Sequence, residues 1–298
     1  MEDLEKAAIE RLKFGSATSL SYYNKPLLLT YSGGKDSDVC IELAKRAGIP
    51  YEVVHSHTTA DAPETVHHVR QKFRQLELEG IHCNIVYPTY KGERVSMWSL
   101  IPKKLMPPTR IARYCCNVLK EASGRGRAII TGVRRAESVS RSSRGALETI
   151  TAKKSDKVVF DLAPDDQERM YFDDNDAKRR WFEQCKMQGK ISINPIIDWS
   201  DQDVWGYLRE CHTEINPLYY CGFSRVGCVG CPMAGRRYRY QAFERYPKYR
   251  DMYLQAFARM LEAMVRAGKP ATKWSTASDV FDWWMEDTNI DGQLRFDG

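Results

Sequence analysis

The chain has 298 residues, of which 43% are hydrophobic and 28% charged, and its formal net charge is +6. This composition is typical of a folded soluble protein and excludes a disordered or low-complexity chain. No apolar run approaches the ~20 residues that a membrane span needs. The start, MEDLEKAAIERLKF, predicts a charged amphipathic helix rather than a signal peptide, so we expect a cytoplasmic protein with no membrane partner.

Strands and helices alternate through the first half of the chain. Four short apolar strands are predicted: PLLLTY, YEVVHSH, IHCNIVYP and GRAIITGVR. A helix is expected from about Asp36 to Ala47, ended by Gly48, and a second helix follows YEVVHSH and ends at Gly80. Repeated strand–helix–strand units predict an α/β fold with a doubly wound parallel sheet, which binds ligands at the carboxyl ends of its strands.

The second half of the chain is predicted to be less regular. Arg135–Asp161 is rich in Ser and Arg, and we expect a loop there, followed by the short strand KVVFDL. KISINPIIDWSDQDVWGYLREC predicts a strand and then a helix with Ser200 as its N-cap and Asp201 and Asp203 in its first turn. One long amphipathic helix is expected from about Gln241 to Ala267.

The stretch LLLTYSGGKDSD places a glycine turn between a strand and a helix. It departs from the GxxxxGK-Ser/Thr cradle because Asp36 follows Lys35, and no glycine stands five residues before Gly34. Backbone N–H groups at such a turn still bind anions, Lys35 can neutralise charge, and Asp36 would hold Mg²⁺ or orient the turn. The predicted phosphate-binding residues are Ser32, Gly33, Gly34, Lys35, Asp36 and Ser37. A strand-to-helix turn without a ligand is the alternative.

Three stretches resemble the PP-loop ATP pyrophosphatase superfamily, in the branch that includes the adenylyl-sulfate and phosphoadenylyl-sulfate (PAPS) reductases. SGGKDS resembles its SGGxDS motif, HTTADAPET its second-strand motif, and ITGVRRAESVSR its TGxRxxES-R motif. The resemblance covers about residues 25–260 and implies an adenine nucleotide α-hydrolase-like fold. It also implies that the nucleotide and anion pocket is lined by Asp61, Gly132, Arg134, Arg135, Glu137, Ser138 and Arg141. The residues expected to be catalytic are Lys35, Asp36 and Arg134.

Two pairs of cysteines, in RYCCNVLKE and VGCVGCPM, indicate a metal site rather than a disulfide framework. Four thiolates can bind zinc or an iron–sulfur cluster. The cluster-containing reductases use a Cys-Cys pair together with CxxC, so the resemblance implies that a 4Fe–4S cluster is held by Cys115, Cys116, Cys228 and Cys231. Zinc and a metal-free site remain alternatives. Cys221 lies just upstream and is interpreted as a buried residue, with a substitute ligand or a sulfur carrier as alternatives.

After Cys231 the sequence no longer resembles the reductases. Those enzymes carry a nucleophilic cysteine in a C-terminal ECGxH-like motif, and no cysteine follows Cys231 here. We therefore expect an ATP pyrophosphatase or sulfurtransferase that activates an acceptor by adenylation. The alternatives are a true PAPS or adenylyl-sulfate reductase, and a non-catalytic nucleotide- or nucleic-acid-binding subunit. AGRRYRYQAFERYPKYR interleaves cations with aromatic rings, a pattern typical of an amphipathic helix that also suits a nucleic acid acceptor.

Three regions are expected along the chain. They are an N-terminal helix (1–24), a PP-loop nucleotide-binding α/β domain (25–190) and a mainly helical C-terminal region that carries the CxxC (191–298). The expected ligands are a 4Fe–4S cluster, ATP or adenylyl sulfate as nucleotide substrate, and Mg²⁺.

Overall fold

The computed structural model describes residues 1–120, 124, 126–138, 141–150, 159–160, 190–269 and 271–286. The chain forms two compact units that interleave along the sequence. The first comprises Met1–His55, Glu64–Val86 and Ser123–Val226; the second comprises Ser56–Pro63, Tyr87–Ala122 and Gly227–Gly298. The sequence boundary at residue 190 stays a prediction, because 161–189 lie outside the described residues.

Strands and helices alternate through most of the described chain. The strands are β1 Leu27–Thr30, β2 Tyr51–Ser56, β3 Cys83–Val86, β4 Thr89–Tyr90, β5 Glu93–Arg94, β6 Ala128–Ile130, β7 Leu147–Ile150, β8 Val159–Phe160 and β9 Lys190–Ile193. The helices are α1 Glu2–Tyr23, α2 Lys35–Ala47, α3 Pro63–Leu78, α4 Met97–Lys104, α5 Tyr114–Leu119, α6 Asp201–Glu210, α7 Arg236–Arg245, α8 Pro247–Arg266 and α9 Ala277–Glu286. Short 3₁₀ turns span Arg135–Glu137 and Pro217–Cys221. Within the described ranges, no helix is both long and apolar enough to cross a membrane.

The main sheet has seven strands in the described part of the chain, in the order β3-β2-β1-β6-β9-β7-β8. β1 is parallel to β2 and β6, and β6 is parallel to β9. Helices cover both sides, so the predicted α/β class is confirmed. The strand order reverses between β1 and β6, and ligands of such sheets bind beyond the carboxyl ends of strands at this reversal. The glycine turn follows β1 and the TGVRR stretch follows β6.

β7 lies where the sequence predicts a loop. It pairs antiparallel with β9, placing Leu147 opposite Ile193, and antiparallel with β8. The Asn194 amide donates to the buried Glu148 carboxylate at 3.0 Å, which satisfies one polar side chain of this strand. A strand that depends on partners so distant in sequence has little local signal, because strand propensity follows its packing context.

The apolar core of the first unit is formed by the sheet and helices α1, α2, α3 and α6. Ala8 and Leu12 of α1 are fully buried. A Cβ on Gly15 would stand 2.6 Å from Ile193, so glycine permits α1 to approach β9 closely. Ser200 caps α6 as predicted, since its side chain accepts from the Asp203 N–H in a capping box.

The single helix expected over Gln241–Ala267 is two helices in the structure. α7 ends at Arg245, and α8 begins at Pro247, which occupies its first turn. Proline has no N–H and disfavours helical geometry at the residue before it, so Tyr246 adopts φ −123° and ψ 67°. α8 packs against α4 and α9 in the core of the second unit.

Candidate functional site

The predicted phosphate turn joins β1 to α2. Gly33 has φ +75°, a conformation that favours glycine, and Gly34 is the N-cap of α2. The N–H groups of Ser37 and Asp38 donate to the Gly34 carbonyl at 2.9 and 3.1 Å. The Ser37 hydroxyl donates to the same carbonyl at 2.7 Å and lies 3.2 Å from the Ser32 hydroxyl. The turn therefore presents a helix N-terminus, flanked by two hydroxyls, beyond the end of a strand.

The three residues expected to be catalytic lie in one ionic network. Lys35 Nζ is 3.2 Å from Asp36 Oδ2 and 3.0 Å from Asp201 Oδ1. Arg134 Nε donates to Asp36 Oδ1 at 2.7 Å, and its Nη2 donates to Asp201 Oδ1 at 3.0 Å. The Lys35 and Arg134 side chains are only 7% and 3% exposed. Two nearly buried cations are thus held by two carboxylates at the start of α2.

Asp201 is a member of this network that sequence reasoning missed. The sequence predicts Asp201 only as an acid that stabilises the first turn of α6. The local sequence does not distinguish such an acid from one that belongs to a binding site. Burial alone would raise the pKa of Asp201, but hydrogen bonds and charges from Lys35 and Arg134 hold it below its ordinary value. Trp205 Nε1 donates to its other oxygen at 3.2 Å.

Gly132 lies directly against the first turn of α2. A Cβ at this position would stand 2.9 Å from Asp36 Cβ and 3.0 Å from the Asp36 carbonyl carbon. Only glycine lets the segment that follows β6 approach this closely, so Gly132 helps to position Arg134 over the turn.

Hydrogen bonds and ion pairs stabilise the segment after Arg134. Arg135 pairs with Asp198 and donates to the Arg144 carbonyl, and Glu137 accepts from the Arg134 N–H at 3.3 Å. Arg141 pairs with Glu137, and Ser138 follows the short 3₁₀ turn in an extended conformation. These predicted pocket residues therefore form one connected segment.

Positive charge is concentrated around Arg141. Burial lowers the pKa of this guanidinium, and the charges of Arg144 and Arg225 lower it further, while Asp36 acts in the opposite direction. Arg225 was not among the predicted site residues. Like charges gathered at a partly buried place favour binding of an anion.

Asn216 and Tyr219, also missed by sequence reasoning, contact the phosphate turn directly. The buried Asn216 amide donates to the Gly33 carbonyl at 2.9 Å and to Thr65 Oγ1 at 3.2 Å. The Lys35 N–H donates to the Tyr219 hydroxyl at 3.0 Å. These contacts join residues far apart in sequence, so no local pattern could have predicted them.

The four predicted ligand cysteines all lie in the second unit. Cys115 and Cys116 open helix α5, and the Cys231 N–H donates to the Cys228 carbonyl at 3.1 Å in a tight turn. The Cys228 thiol lies 3.3 Å from Thr58 Oγ1. Cys115 and Cys228 are buried, and Cys116 and Cys231 are partly exposed.

The four sulfurs share one electrostatic environment. A hydrogen bond from Cys115 lowers the pKa of Cys116 to about 5, helped by Lys120 and Arg113, and the same bond raises the pKa of Cys115. Burial raises the pKa of Cys228 to about 11. The pKa of Lys120 is raised chiefly by the Cys228 charge. Metal centres bind cysteines as thiolates, so a metal bound here would displace the protons that Cys115 and Cys228 retain.

Spacing of the sulfurs distinguishes between metal centres. Four thiolates around one zinc ion, each about 2.3 Å from it, lie roughly 3.8 Å apart. Among the described residues, no three cysteine sulfurs lie within 4.8 Å of one another. A four-iron cluster takes one thiolate at each of four irons and fits a wider set of sulfurs. Within the described residues, the sulfurs are thus not drawn together as the four ligands of one zinc ion would be.

Residues 26–234 match the family model described as the phosphoadenosine phosphosulfate reductase domain. The chain belongs to the phosphoadenosine phosphosulfate reductase domain family. The match includes the glycine turn, the TGVRR stretch and all four cysteines of the two pairs.

Sequence relatives of this PAPS reductase-family chain include proteins of different length. An uncharacterized protein of Methanocaldococcus jannaschii is 26% identical over 272 residues, which cover 87% of this chain and 54% of the relative. A second protein of that organism is 28% identical and is covered over 36% of its length. The chain thus spans about half or less of these two relatives. An adenosine 5'-phosphosulfate reductase of Allochromatium vinosum is 25% identical over 70% of this chain and 68% of its own.

The solved structures to which the chain is similar have low sequence identity to it. A PAPS reductase from Candida auris has a TM-score of 0.47 and 18% identity, covering 76% of this chain and 93% of its own. A U34-tRNA thiolase from Methanococcus maripaludis with its [4Fe–4S] cluster has a TM-score of 0.41 and 13% identity, covering 89% and 82%.

Asp61 and Cys221 are the two remaining residues that the sequence analysis singled out. Asp61 belongs to the second unit, where its carboxylate accepts from the Thr58 N–H at 2.9 Å and its carbonyl accepts from the Tyr249 hydroxyl at 2.7 Å. Its predicted nucleotide contact stays a prediction. Cys221 belongs to the first unit and is exposed, so its interpretation as a buried residue is wrong.

Some of the cationic and aromatic side chains of α7 lie in the protein core. Arg239 is 1% exposed and its guanidinium lies 4.3 Å from the centre of the Trp284 ring, and Phe243 is buried. At these positions the pattern is that of an amphipathic helix and supports no nucleic acid acceptor.

Proposed function

We propose that this chain binds an adenine nucleotide by its phosphates on the turn Ser32–Ser37 and cleaves the bond between the α- and β-phosphates. One observation carries the proposal: Lys35 and Arg134, both nearly buried, converge on the N-terminus of α2 beside the glycine turn. Their carboxylate partners hold the two cations at the position where a phosphate would bind. Membership of the PAPS reductase domain family supports this chemistry.

Each part of the site has a function in this reaction. Backbone N–H groups of the turn and the two cations hold the pyrophosphate moiety, and they stabilise the charge that develops on it. An acceptor oxygen attacks the α-phosphorus, the bond to the bridging oxygen breaks, and pyrophosphate leaves. The acceptor is then adenylated through its oxygen. A nucleophile at the sulfide oxidation level attacks the activated carbon, the carbon–oxygen bond breaks, and AMP leaves with that oxygen. Asp36 is the residue suited to hold the Mg²⁺ that accompanies the phosphates, since carboxylate oxygens are its preferred ligands.

The four cysteines add a second component to the proposal. Cys115, Cys116, Cys228 and Cys231 would hold a 4Fe–4S cluster, which supplies a place for sulfur to bind or to be delivered. Adenylation alone requires no such group. The combination therefore favours an ATP-dependent sulfurtransferase over a simple adenylyltransferase.

Pyrophosphate release from ATP tests the nucleotide half of this proposal. We expect Lys35→Ala and Arg134→Ala to lower the release rate at least 100-fold, because each removes a charge that stabilises the transition state. Lys45→Ala and Arg127→Ala remove cations paired with Glu79 and Glu52 instead, and serve as matched controls. Normal release from both site variants would refute the proposed roles of their side chains.

Iron and acid-labile sulfide in anaerobically purified protein test the cluster. Wild type is expected to contain about four irons per chain. Cys228→Ser and Cys231→Ser are expected to lose the visible absorption of the cluster, whereas Cys83→Ser, in the first unit, retains it. Zinc in place of iron, or full absorption in both ligand variants, would exclude the cluster.

A second candidate is reduction of an adenylyl sulfate. The family match and the Allochromatium vinosum relative favour it, and the same cations would hold the sulfate and phosphate. Sulfite release from adenylyl sulfate in the presence of a thiol reductant, without pyrophosphate release from ATP, would establish this reaction. ATP binding without turnover of either nucleotide would instead indicate a non-catalytic subunit.

A further inference from the structure

We propose that Tyr219 is a phosphate-binding residue of the nucleotide site, an inference that rests on the proposed function. Its hydroxyl accepts the N–H of Lys35, the first residue of α2, at 3.0 Å. The first N–H groups of a helix have no acceptor within the helix, and they are the groups that bind phosphate at such turns. The Tyr219 hydroxyl therefore accepts from one of these N–H groups, and its own O–H group becomes the donor that a phosphate can meet.

The position of the Tyr219 ring is fixed from two sides. Asn216 caps the 3₁₀ turn Pro217–Cys221, because its side-chain oxygen accepts from the Leu218 N–H at 3.0 Å. The same side chain donates to the Gly33 carbonyl, so the 3₁₀ turn is attached directly to the phosphate turn. The Trp205 ring meets the Tyr219 ring edge-on, with centroids 5.0 Å apart. The hydroxyl is thus placed before a ligand arrives.

The hydroxyl of Tyr219 retains a proton that it can donate. Its oxygen accepts from Lys35, and within the described chain this is its one hydrogen bond. Burial raises the pKa of the phenol, and although the Lys35 N–H lowers it, the Asp36, Asp38 and Asp201 charges raise it again. The group is therefore neutral at physiological pH, and a phosphate oxygen is a suitable acceptor.

Glycine at position 34 leaves the hydroxyl accessible over the turn. A Cβ on Gly34 would stand 3.4 Å from the Tyr219 oxygen and 3.5 Å from the Ser32 hydroxyl oxygen. Two hydroxyl groups therefore border the same glycine. We infer that both donate to one phosphate group, with the Lys35 and Arg134 cations balancing its charge.

Binding of pyrophosphate and of ATP, measured by titration calorimetry, tests the inference. Tyr219→Phe removes only the hydroxyl, and we expect its Kd for both ligands to rise roughly ten-fold or more, as for loss of a hydrogen bond to a charged group. Tyr220→Phe removes the hydroxyl of the adjacent tyrosine, which is 79% exposed, and we expect no change. Thermal unfolding confirms that each variant is folded.

The outcomes separate this inference from the proposed function. Wild-type affinity in Tyr219→Phe would overturn it, because the hydroxyl would then only support the turn. Tighter binding would also overturn it, because the hydroxyl would then occupy the place of a phosphate oxygen. If wild type binds neither pyrophosphate nor ATP, the proposed function fails together with the inference.

Discussion

Four charged side chains determine the properties of the proposed phosphate site. Lys35 and Arg134 are nearly buried, and each contacts both Asp36 and Asp201. A buried cation that loses its only partner costs free energy, because its charge is left uncompensated. A cation shared by two carboxylates keeps one partner when the other moves. This arrangement keeps two cations desolvated at the helix N-terminus, where their attraction for a phosphate is stronger than in water.

The stability contributed by Asp201 is expected to depend on pH. The folded protein holds the pKa of this carboxyl below its ordinary value, so the contribution is present above the unfolded-state pKa near 4 and is lost as the pH falls through the folded-state value. Asp201→Asn should lower the free energy of unfolding by up to about 1 kcal/mol at pH 7, since the side chain is 63% exposed. Urea unfolding should show this difference shrinking below about pH 4. A difference that stays constant with pH would contradict the ion-pair account.

Gly132→Ala is expected to damage the phosphate turn. The new Cβ would displace the backbone of Asp36, which we expect to cost about 1–3 kcal/mol of stability and to weaken ATP binding. Gly206→Ala is the matched control, because Gly206 lies inside α6 and its Cβ would meet only the flexible end of Met1. The control should be neutral or slightly stabilised. Equal ATP affinity in wild type and Gly132→Ala would refute the role of this contact.

Individual site residues differed in how well the sequence predicted them. Lys35, Asp36 and Arg134 lie in motifs that carry their own signal, and the structure brings them together. Asp201 and Tyr219 lie in a helix turn and a 3₁₀ turn whose sequences indicate only local structure. They reach the site because the fold places α6 and its following segment beside the start of α2. Such tertiary proximity has no counterpart in a local motif.

At the scale of elements, the CVGC turn depends on one glycine. Gly230 has φ +73°, and a Cβ there would stand 2.6 Å from the Phe243 ring and 3.0 Å from the Trp284 and Tyr253 rings. The Tyr253 hydroxyl also donates to the Val229 carbonyl at 3.0 Å. The aromatic core of α7, α8 and α9 therefore supports the turn that carries two of the four cysteines.

Gly230→Ala is expected to lose stability and bound iron together. Gly268→Ala is the matched control, because Gly268 also has a positive φ but its Cβ would meet nothing within 4 Å. The control should lose only the conformational strain of about 1–2 kcal/mol, and retain its iron. Thermal unfolding and iron analysis of both variants measure the two effects. Full iron content in Gly230→Ala would show that the turn adapts without its glycine.

Elements with strong local signals were predicted correctly, and those that depend on distant partners were not. β1, α2 and the capped start of α6 follow from an apolar run, a glycine stop and an N-cap serine. β7 was predicted as a loop, because its strand depends on pairing with β9. The apolar periodicity over Gln241–Ala267 predicts one continuous helix, and Pro247 divides it into two in the structure.

At the scale of the whole molecule, the chain forms two compact units, and the proposed nucleotide site and the proposed metal centre draw on residues of different units. The phosphate turn and its cations belong to the first unit, and the four cysteines belong to the second. The units interleave along the sequence, so the second is assembled from three segments, including residues 56–63 and 87–122. A chain of this kind is expected to lose function in both units when either is disrupted by truncation, rather than to divide into independent halves.

Identification of the nucleotide products tests the central claim most directly. Wild-type protein, purified without oxygen and incubated with ATP and Mg²⁺, would be analysed by anion-exchange chromatography. Cleavage at the α-phosphorus predicts AMP, free or attached to an acceptor, and one pyrophosphate for each ATP consumed, with release at least 100-fold slower in Lys35→Ala. ADP with inorganic phosphate would place the reaction at the γ-phosphorus and would contradict the assignment of this site to adenylation.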